Sequence, residues 1–399
     1  MKNVTLTCTQ CQKEFPLQDF YPRCSLCNEP LEVTCPRVKR EKIKPQGTLL
    51  ERYADFFPFK KTHGEISLGE GDTPLLKSAA VADEIGIQTL YFKNESQNPT
   101  WSFKDRGTAA GLEHALSLGV GKIGTVSTGN MATSVAAYGS RARLETCILV
   151  SQNLPIEKIA PIAIYHPRLI MVEGDYGDLY FKSIEIGKKL GIYFINSDVP
   201  FRVEGSKTIA FEICEQLDFV VPDYVAVPVS SGGNIRGILK GFEEFRRAGL
   251  IDRIPKMIAV QASGCSPIAD AFEEGRETIT RSRDPQTVAH AIENPFPPSG
   301  NQTLRKLREN SGTAIKVSDE EILAAQKLMA RDGIFGQPAA AASLAAVKRL
   351  LDSNYLTRDD SAVCVVTGSG LKYTAALEQQ KPEITTTRLE DLEKAILIT

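Results

Sequence analysis

Apolar and polar positions along the chain change period at regular intervals. Short apolar runs rich in Val and Ile fall at Thr89–Lys93, Lys122–Val126, Thr146–Val150, Arg168–Val172, Ile192–Asn196, Tyr224–Val229, Met257–Gln261 and Ala362–Thr367, and each predicts a strand. Between them lie stretches of helical period: Lys104 to about Leu118, Met131–Arg141, a helix reaching Leu190 and stopped by Gly191, and one beginning at Ala339–Ala342. Strands alternating with helices predict an α/β fold of open, twisted, mostly parallel sheets with helices on both faces. In such folds ligands bind beyond the carboxyl ends of strands. The stretches that carry candidate chemistry follow predicted strands.

In Asn98-Pro99-Thr100-Trp101-Ser102-Phe103-Lys104-Asp105-Arg106-Gly107, Ser102 reads as an N-cap and Asp105 completes a capping-box pattern. Lys104 then occupies the first turn of a helix, where the macrodipole disfavours a cation. It is either an exposed lysine paired with Asp105 or Glu95, or an amine of lowered pKa suited to covalent chemistry on a carbonyl. Ser127-Thr128-Gly129-Asn130 opens the next helix and is either an anion site or a polar cap. In Ser230-Ser231-Gly232-Gly233-Asn234, glycines would let backbone N–H groups approach a phosphate, or they make a plain turn; the run lacks the nucleotide P-loop pattern. Thr367 ends a strongly apolar strand. Arg202 is either a phosphate-binding fork or half of an ion pair with Glu204.

The chain has 399 residues, room for about two domains. A formal charge of −2 argues against general attraction to nucleic acid or membranes. No apolar run is long enough to span a bilayer, and no signal-like stretch opens the chain, so the expected location is the cytoplasm. Five of nine cysteines lie in the first 35 residues. Cys8-Thr9-Gln10-Cys11 and Cys24-Ser25-Leu26-Cys27, twelve residues apart, offer four thiolates to one structural zinc, with no position left open for catalysis. Cys35 is spare, and Cys147 and Cys364 read as buried strand residues. The basic run Arg37–Lys44 has no aromatic platform and reads as a solvated linker. His63, His114, His166 and His290 form no metal pair.

Taken together, Asn-Pro-Thr-x-Ser-Phe-Lys-Asp-Arg-Gly around Lys104, Ser127–Asn130, Arg202-Val203-Glu204-Gly205-Ser206-Lys207-Thr208, Gly232-Gly233-Asn234-Ile235 and Thr367-Gly368-Ser369-Gly370-Leu371-Lys372 resemble the threonine synthase family, in that family's order, over residues 65 to 375. The resemblance implies pyridoxal 5'-phosphate (PLP) fold type II, with two open sheets and an N-terminal zinc ribbon. It divides the chain into residues 1–45 (ribbon and linker), 46–80 with 204–399 (large domain), and 81–203 (smaller domain). It makes Lys104 the Schiff-base lysine and the acid and base. Asn130 would face the phenolic oxygen of PLP, Ser230, Ser231, Gly232, Gly233 and Asn234 would hold its phosphate, and Thr367 would face its pyridine nitrogen. Ser127, Thr128, Asn196, Ser197 and Arg202 would hold O-phospho-L-homoserine, and the family suggests a homodimer. The chain departs from the pattern at Met131, Ser231 and Gln337, so an ammonia-lyase or β-replacement synthase of the same superfamily is the alternative, and an inactive PLP-binding or ribbon interaction protein the remote one.

Overall fold

The computed structural model describes all residues except 1–3, 19–21, 35–42, 45, 60, 128, 153–155, 175, 375–383 and 398–399. Thr128, Cys35 and most of the basic run therefore lie outside the described residues.

Three sheets organise the chain. The N-terminal one is antiparallel, in the order β2 (Glu14–Phe15), β1 (Thr5–Cys8), β3 (Leu31–Thr34). The largest has six strands, in the order β12 (Thr313–Val317), β11 (Lys256–Ala262), β10 (Tyr224–Pro228), β13 (Ser361–Val366), β5 (Thr89–Asn94) and β4 (Leu75–Lys77). All its neighbours pair in parallel except β4 with β5. The third sheet is parallel, in the order β8 (Arg168–Val172), β7 (Glu145–Ser151), β6 (Lys122–Val126) and β9 (Tyr193–Phe194).

The period-2 rule explains how one apolar run serves two cores. On the large sheet Val225, Val227, Val363, Val365 and Ala259 face the helices Pro200–Gln216 and Gly233–Arg247. Their neighbours Ala226, Cys364, Ile258, Val260 and Phe92 face the helix Pro338–Asp352. The run Ala339–Ala342, each no more than 1% exposed, lets that helix lie close on the strands. Both faces are covered, which is why these strands read as continuous apolar runs. The knuckle borrows its core: Leu6, Leu31 and Val33 pack on Phe201 of the Pro200–Gln216 helix.

Several elements depart from the expected pattern. The helix Lys104–Ser117 starts where expected, but Phe103, not Ser102, is its N-cap. Ser102 is bridged to Gly368, and its buried hydroxyl has no partner among the described residues. Asp105 accepts instead from the Thr100 N–H (2.7 Å), the Thr100 hydroxyl (2.6 Å) and Ser134 Oγ (2.6 Å). Tertiary partners have displaced the local capping box. β9 is shorter than the expected Ile192–Asn196, because Asn196 bonds sideways to β6. β4, β12 and the long helix Pro200–Gln216 carried no recognised signal. Thr89–Asn94, assigned from sequence to the smaller domain, lies in the six-stranded sheet; the smaller sheet's strands fall within 122–194.

A buried charge cluster locks the helix carrying Lys104 to the body. Arg106 pairs with Glu95 and with Glu212, both at 2.6 Å, and Lys93 reaches Glu212 at 2.7 Å. All four side chains are at most 2% exposed, so each charge depends on its partners. Close helix approach makes this possible: a Cβ on Gly205 would lie 2.1 Å from the Arg106 carbonyl oxygen, so only glycine fits. Among the described residues no helix is long and apolar enough to cross a membrane.

Candidate active site

The carboxyl ends of β5, β13 and β10 are neighbours in one sheet, and the chain leaving each brings a predicted motif to the same edge. After β5 the chain turns through Glu95–Gln97 and reaches Lys104; after β13 it runs through Thr367 and Gly368; after β10 it enters Ser230–Asn234. The order of strands reverses between β10 and β13, the place where open sheets form a crevice. The smaller sheet contributes from its own reversal, between β6 and β9, with Ser127 leaving β6 and Asn196 following β9.

The Phe103 N–H donates to the Thr367 carbonyl at 3.1 Å and the Ser369 N–H to Trp101 at 3.0 Å, fixing the start of the Lys104 helix against β13. Lys104 is half-buried, with Nζ 4.3 Å from the Phe103 ring centroid. It pairs with neither Asp105 nor Glu95: Asp105 is held by Thr100 and Ser134, and Glu95 by Arg106. Burial first, and then the Arg202 guanidinium, lower its pKa from 10.5 to about 7. That leaves about half of the amine neutral and nucleophilic near neutral pH.

Arg202 is 3% exposed and donates to Thr108 Oγ1 at 2.9 Å and to the Lys104 carbonyl at 3.4 Å. Among the described residues it forms no ion pair. Glu204, its conceivable partner, is taken by Lys207 and Lys240. Burial lowers even this guanidinium, to about 10. A desolvated cation without a carboxylate is costly unless an anion arrives.

Asn130 Nδ2 donates to Gln337 Oε1 at 3.1 Å, and a Cβ on Gly368 would lie 3.3 Å from that Nδ2 and 3.2 Å from the Gln337 amide. Asn130, Gln337, Gly368 and Thr367 thus form one wall beside Lys104. Met131, by contrast, is 3% exposed and packs in the core of the smaller sheet, so its departure from the family pattern does not reach the cleft.

The opposite wall is the glycine loop. Gly232 has φ +93°, and a Cβ there would lie 2.4 Å from Thr303 Oγ1; one on Gly233 would lie 2.6 Å from the Ser197 carbonyl. Gly232 caps the helix Gly233–Arg247, whose first N–H groups are open to an anion. Both polar atoms of the Asn234 side chain are buried with no partner among the described residues. A buried amide left unbonded costs about 1–3 kcal/mol, and a ligand phosphate would accept from its Nδ2. Lys104, the glycine cradle and the orphaned Asn234 fit pyridoxal phosphate in charge and in donor type.

Ser127 and Ser197 lie at the cleft's rim, but the Asn196 amide is committed: Oδ1 accepts from the Val126 N–H at 3.0 Å and Nδ2 donates to Ser183 at 2.9 Å. Sequence reading assigned no role to Gln337 or Lys372. Lys372 donates to the Thr100 carbonyl at 2.9 Å, and burial lowers its amine to about 8. Its place in the Thr-Gly-x-Gly-x-Lys run was the available signal. His114 is structural, stacked on Phe201 at 3.6 Å and bonded to Tyr193, with its pKa lowered to about 4 by burial.

At the knuckle Cys8, Cys11, Cys24 and Cys27 place their sulfurs within 4.8 Å of one another. The separations of 3.4 Å (Cys8–Cys27), 3.6 Å (Cys11–Cys24) and 3.8 Å (Cys11–Cys27) are close to the roughly 3.8 Å edge of a tetrahedron with metal–sulfur bonds of about 2.3 Å. The N–H groups of Gln10, Cys11 and Leu26 point at Sγ of Cys8 or Cys24 at 3.4 Å, as thiolates would require. The four residues suit a metal ion. A small separate pocket beside Pro22, Ile184 and Val199 holds none of the convergent chemistry.

The fold and its lysine define a pyridoxal-phosphate-dependent enzyme of fold type II, and the pattern of the "Pyridoxal-phosphate dependent enzyme" family matches residues 66–368. Solved structures share the architecture at low identity. Processed threonine deaminase isoform 2 from Solanum lycopersicum superposes with a TM-score of 0.64 at 22% identity, over 81% of this chain and 82% of that one. Maize serine racemase does so at 0.63 and 21%, over 81% and 91%. Sequence relatives are nearer: threonine synthase of Methanocaldococcus jannaschii is 40% identical over 92% of both chains, and that of Mycobacterium tuberculosis 35% identical over 82% of this chain and 89% of its own. The chain belongs to the threonine synthase family.

Proposed function

We propose that the site converts O-phospho-L-homoserine and water to L-threonine and phosphate. The carrying observation is the buried Arg202 fork, which forms no ion pair among the described residues and lies against the helix turn that bears Lys104. A substrate ending in phosphate brings a second anion, beyond the α-carboxylate that every amino acid carries, and the fork can meet it in two-point geometry; serine and threonine have no such second group.

The bound cofactor supplies an electron sink for charge developing on the amino acid's carbons. Lys104 is the amine that would hold it, and its free amine would be the base that takes the proton from Cα and then from Cβ. Arg202, with Ser127, Thr128 and Ser197, steadies the departing phosphate. Asn196 acts through the backbone, holding β6 to β9 so that Ser127 stays at the rim. Ser230, Ser231, Gly232, Gly233 and Asn234 would hold the cofactor's phosphate, Asn130, oriented by Gln337, its phenolic oxygen, and Thr367 its ring nitrogen. We assign zinc to the four cysteines, because a closed thiolate tetrahedron suits it and leaves no catalytic position. A homodimer belongs to the same reading and rests on family resemblance. The test is phosphate release and threonine formation from O-phosphohomoserine beside serine and phosphoserine. Turnover of the first supports the reading, and turnover of only the others overturns it.

A further inference from the structure

Arg23 immediately precedes the metal-ligand candidate Cys24, yet its side chain serves the far side of the knuckle. Nε donates to the Asn28 carbonyl at 2.7 Å, inside the turn that carries Cys24 and Cys27. The two terminal nitrogens leave the knuckle: one reaches Asp198 Oδ2 at 3.2 Å, the other the Pro298 carbonyl at 3.2 Å. Asp198 follows Ser197 in the chain. Its carboxylate also accepts from the Tyr180 hydroxyl and, at 2.9 Å, from Ser299 Oγ. Ser299 in turn sends its N–H to the Ser231 carbonyl at 3.1 Å and packs under Gly232, where a Cβ would lie 3.2 Å from it. A Cβ on Gly233 would lie 3.3 Å from Asp198 Cα. A second line from the knuckle converges on the same serine: Glu32 holds Arg236 at 2.9 Å, and Arg236 donates to Ser299 Oγ at 2.6 Å. Arg23 and Asp198 are 6% and 2% exposed, so their pairing is shielded from solvent.

We infer that Arg23 is a positioning residue that couples the four-cysteine knuckle to the phosphate cradle at Ser230–Asn234, so that filling one site tightens the other. The inference rests on the metal and cofactor readings above. Without a cation among the thiolates the Cys24–Asn28 turn loses its anchor, Arg23 loses its aim, and Asp198 is left buried without its charged partner. Ser299 keeps Arg236 but donates to an acceptor that Arg23 no longer fixes, and the loop it supports loosens. Coupling of this kind is reciprocal.

The experiment uses the full chain, stripped of cofactor and titrated with pyridoxal phosphate, with zinc content measured on each sample. Arg23→Met keeps its zinc, binds pyridoxal phosphate about ten-fold more weakly and releases it faster. Removing zinc from the unsubstituted protein with a chelator weakens binding by a similar factor, and removing it from Arg23→Met adds little. Ser299→Ala leaves Arg23 on Asp198 and also weakens binding; it carries the test if Arg23→Met does not fold. A knuckle that is only a staple changes thermal stability and leaves cofactor affinity alone. Unchanged affinity in zinc-loaded Arg23→Met, or an equal zinc effect with and without Arg23, overturns the inference. A chain that binds no zinc while Arg23→Met still loses affinity refutes the metal reading and the coupling, leaving Arg23's positioning role standing.

Discussion

Replacing Arg202 with methionine removes the cation beside Lys104 while keeping most of the side chain's bulk. Lys104 is displaced from 10.5 to about 7, about 3.5 pH units, with burial the larger cause and Arg202 the second. Arg202 therefore accounts for less than half, and the amine of the variant moves up by about one pH unit, still well below an ordinary lysine. The sign follows from the charge: a neighbouring cation disfavours the protonated amine, so its loss favours it. At pH 7 the neutral fraction falls from about one half to about one tenth, and the apoprotein captures pyridoxal phosphate about five-fold more slowly. Near pH 10 the two proteins converge, because both amines are then mostly neutral. Stopped-flow absorbance across pH 6–10 reads the midpoint directly. A wild-type midpoint near 10.5, or one that Arg202→Met leaves unmoved, refutes the electrostatic account of the site.

Other outcomes follow from single contacts. Glu212→Gln leaves Lys93 without its carboxylate and Arg106 with Glu95 alone, and costs about 3–5 kcal/mol by denaturant titration. Burial alone would raise Glu212, but Arg106 and Lys93 hold it well below the usual carboxylate range, so its stabilisation is complete above about pH 4.5 and is lost as pH falls below that. The variant's stability is correspondingly flatter in acid. Gln337→Ala leaves Asn130 Nδ2 without its acceptor and lowers kcat by about ten-fold with cofactor content kept, since the phosphate cradle lies on the opposite wall; loss of cofactor instead would contradict the division into two walls. Elemental analysis finds about one zinc per chain, and Cys24→Ser loses it.

Much of this was legible in the chain because its signals are local. The apolar runs at Lys122–Val126 and Ala362–Val366 are buried strands with Gly or Thr at their ends, and the period of the pattern suffices to find them. Lys104 stood out as a cation at a helix start, and the motif around it, rather than that position, gave the expectation of a cofactor-bearing amine. What escaped depended on distant partners. Ser102 and Asp105 match a capping box, but Gly368 and Thr100 compete for them across the fold. Asn196 matches a phosphate ligand, but its amide ties β6 to β9. The helix Pro200–Gln216 is buried along nearly its whole length, so it has no polar face to mark its period. Gln337 read only as a departure from the family pattern; the folded chain shows its amide meeting Asn130.

The most direct test of the account is reduction of the holoenzyme with borohydride, followed by peptide mapping. The account predicts a pyridoxyl group on Lys104 and on no other lysine. A label on Lys372, or on any residue away from the edge shared by β5, β13 and β10, contradicts it.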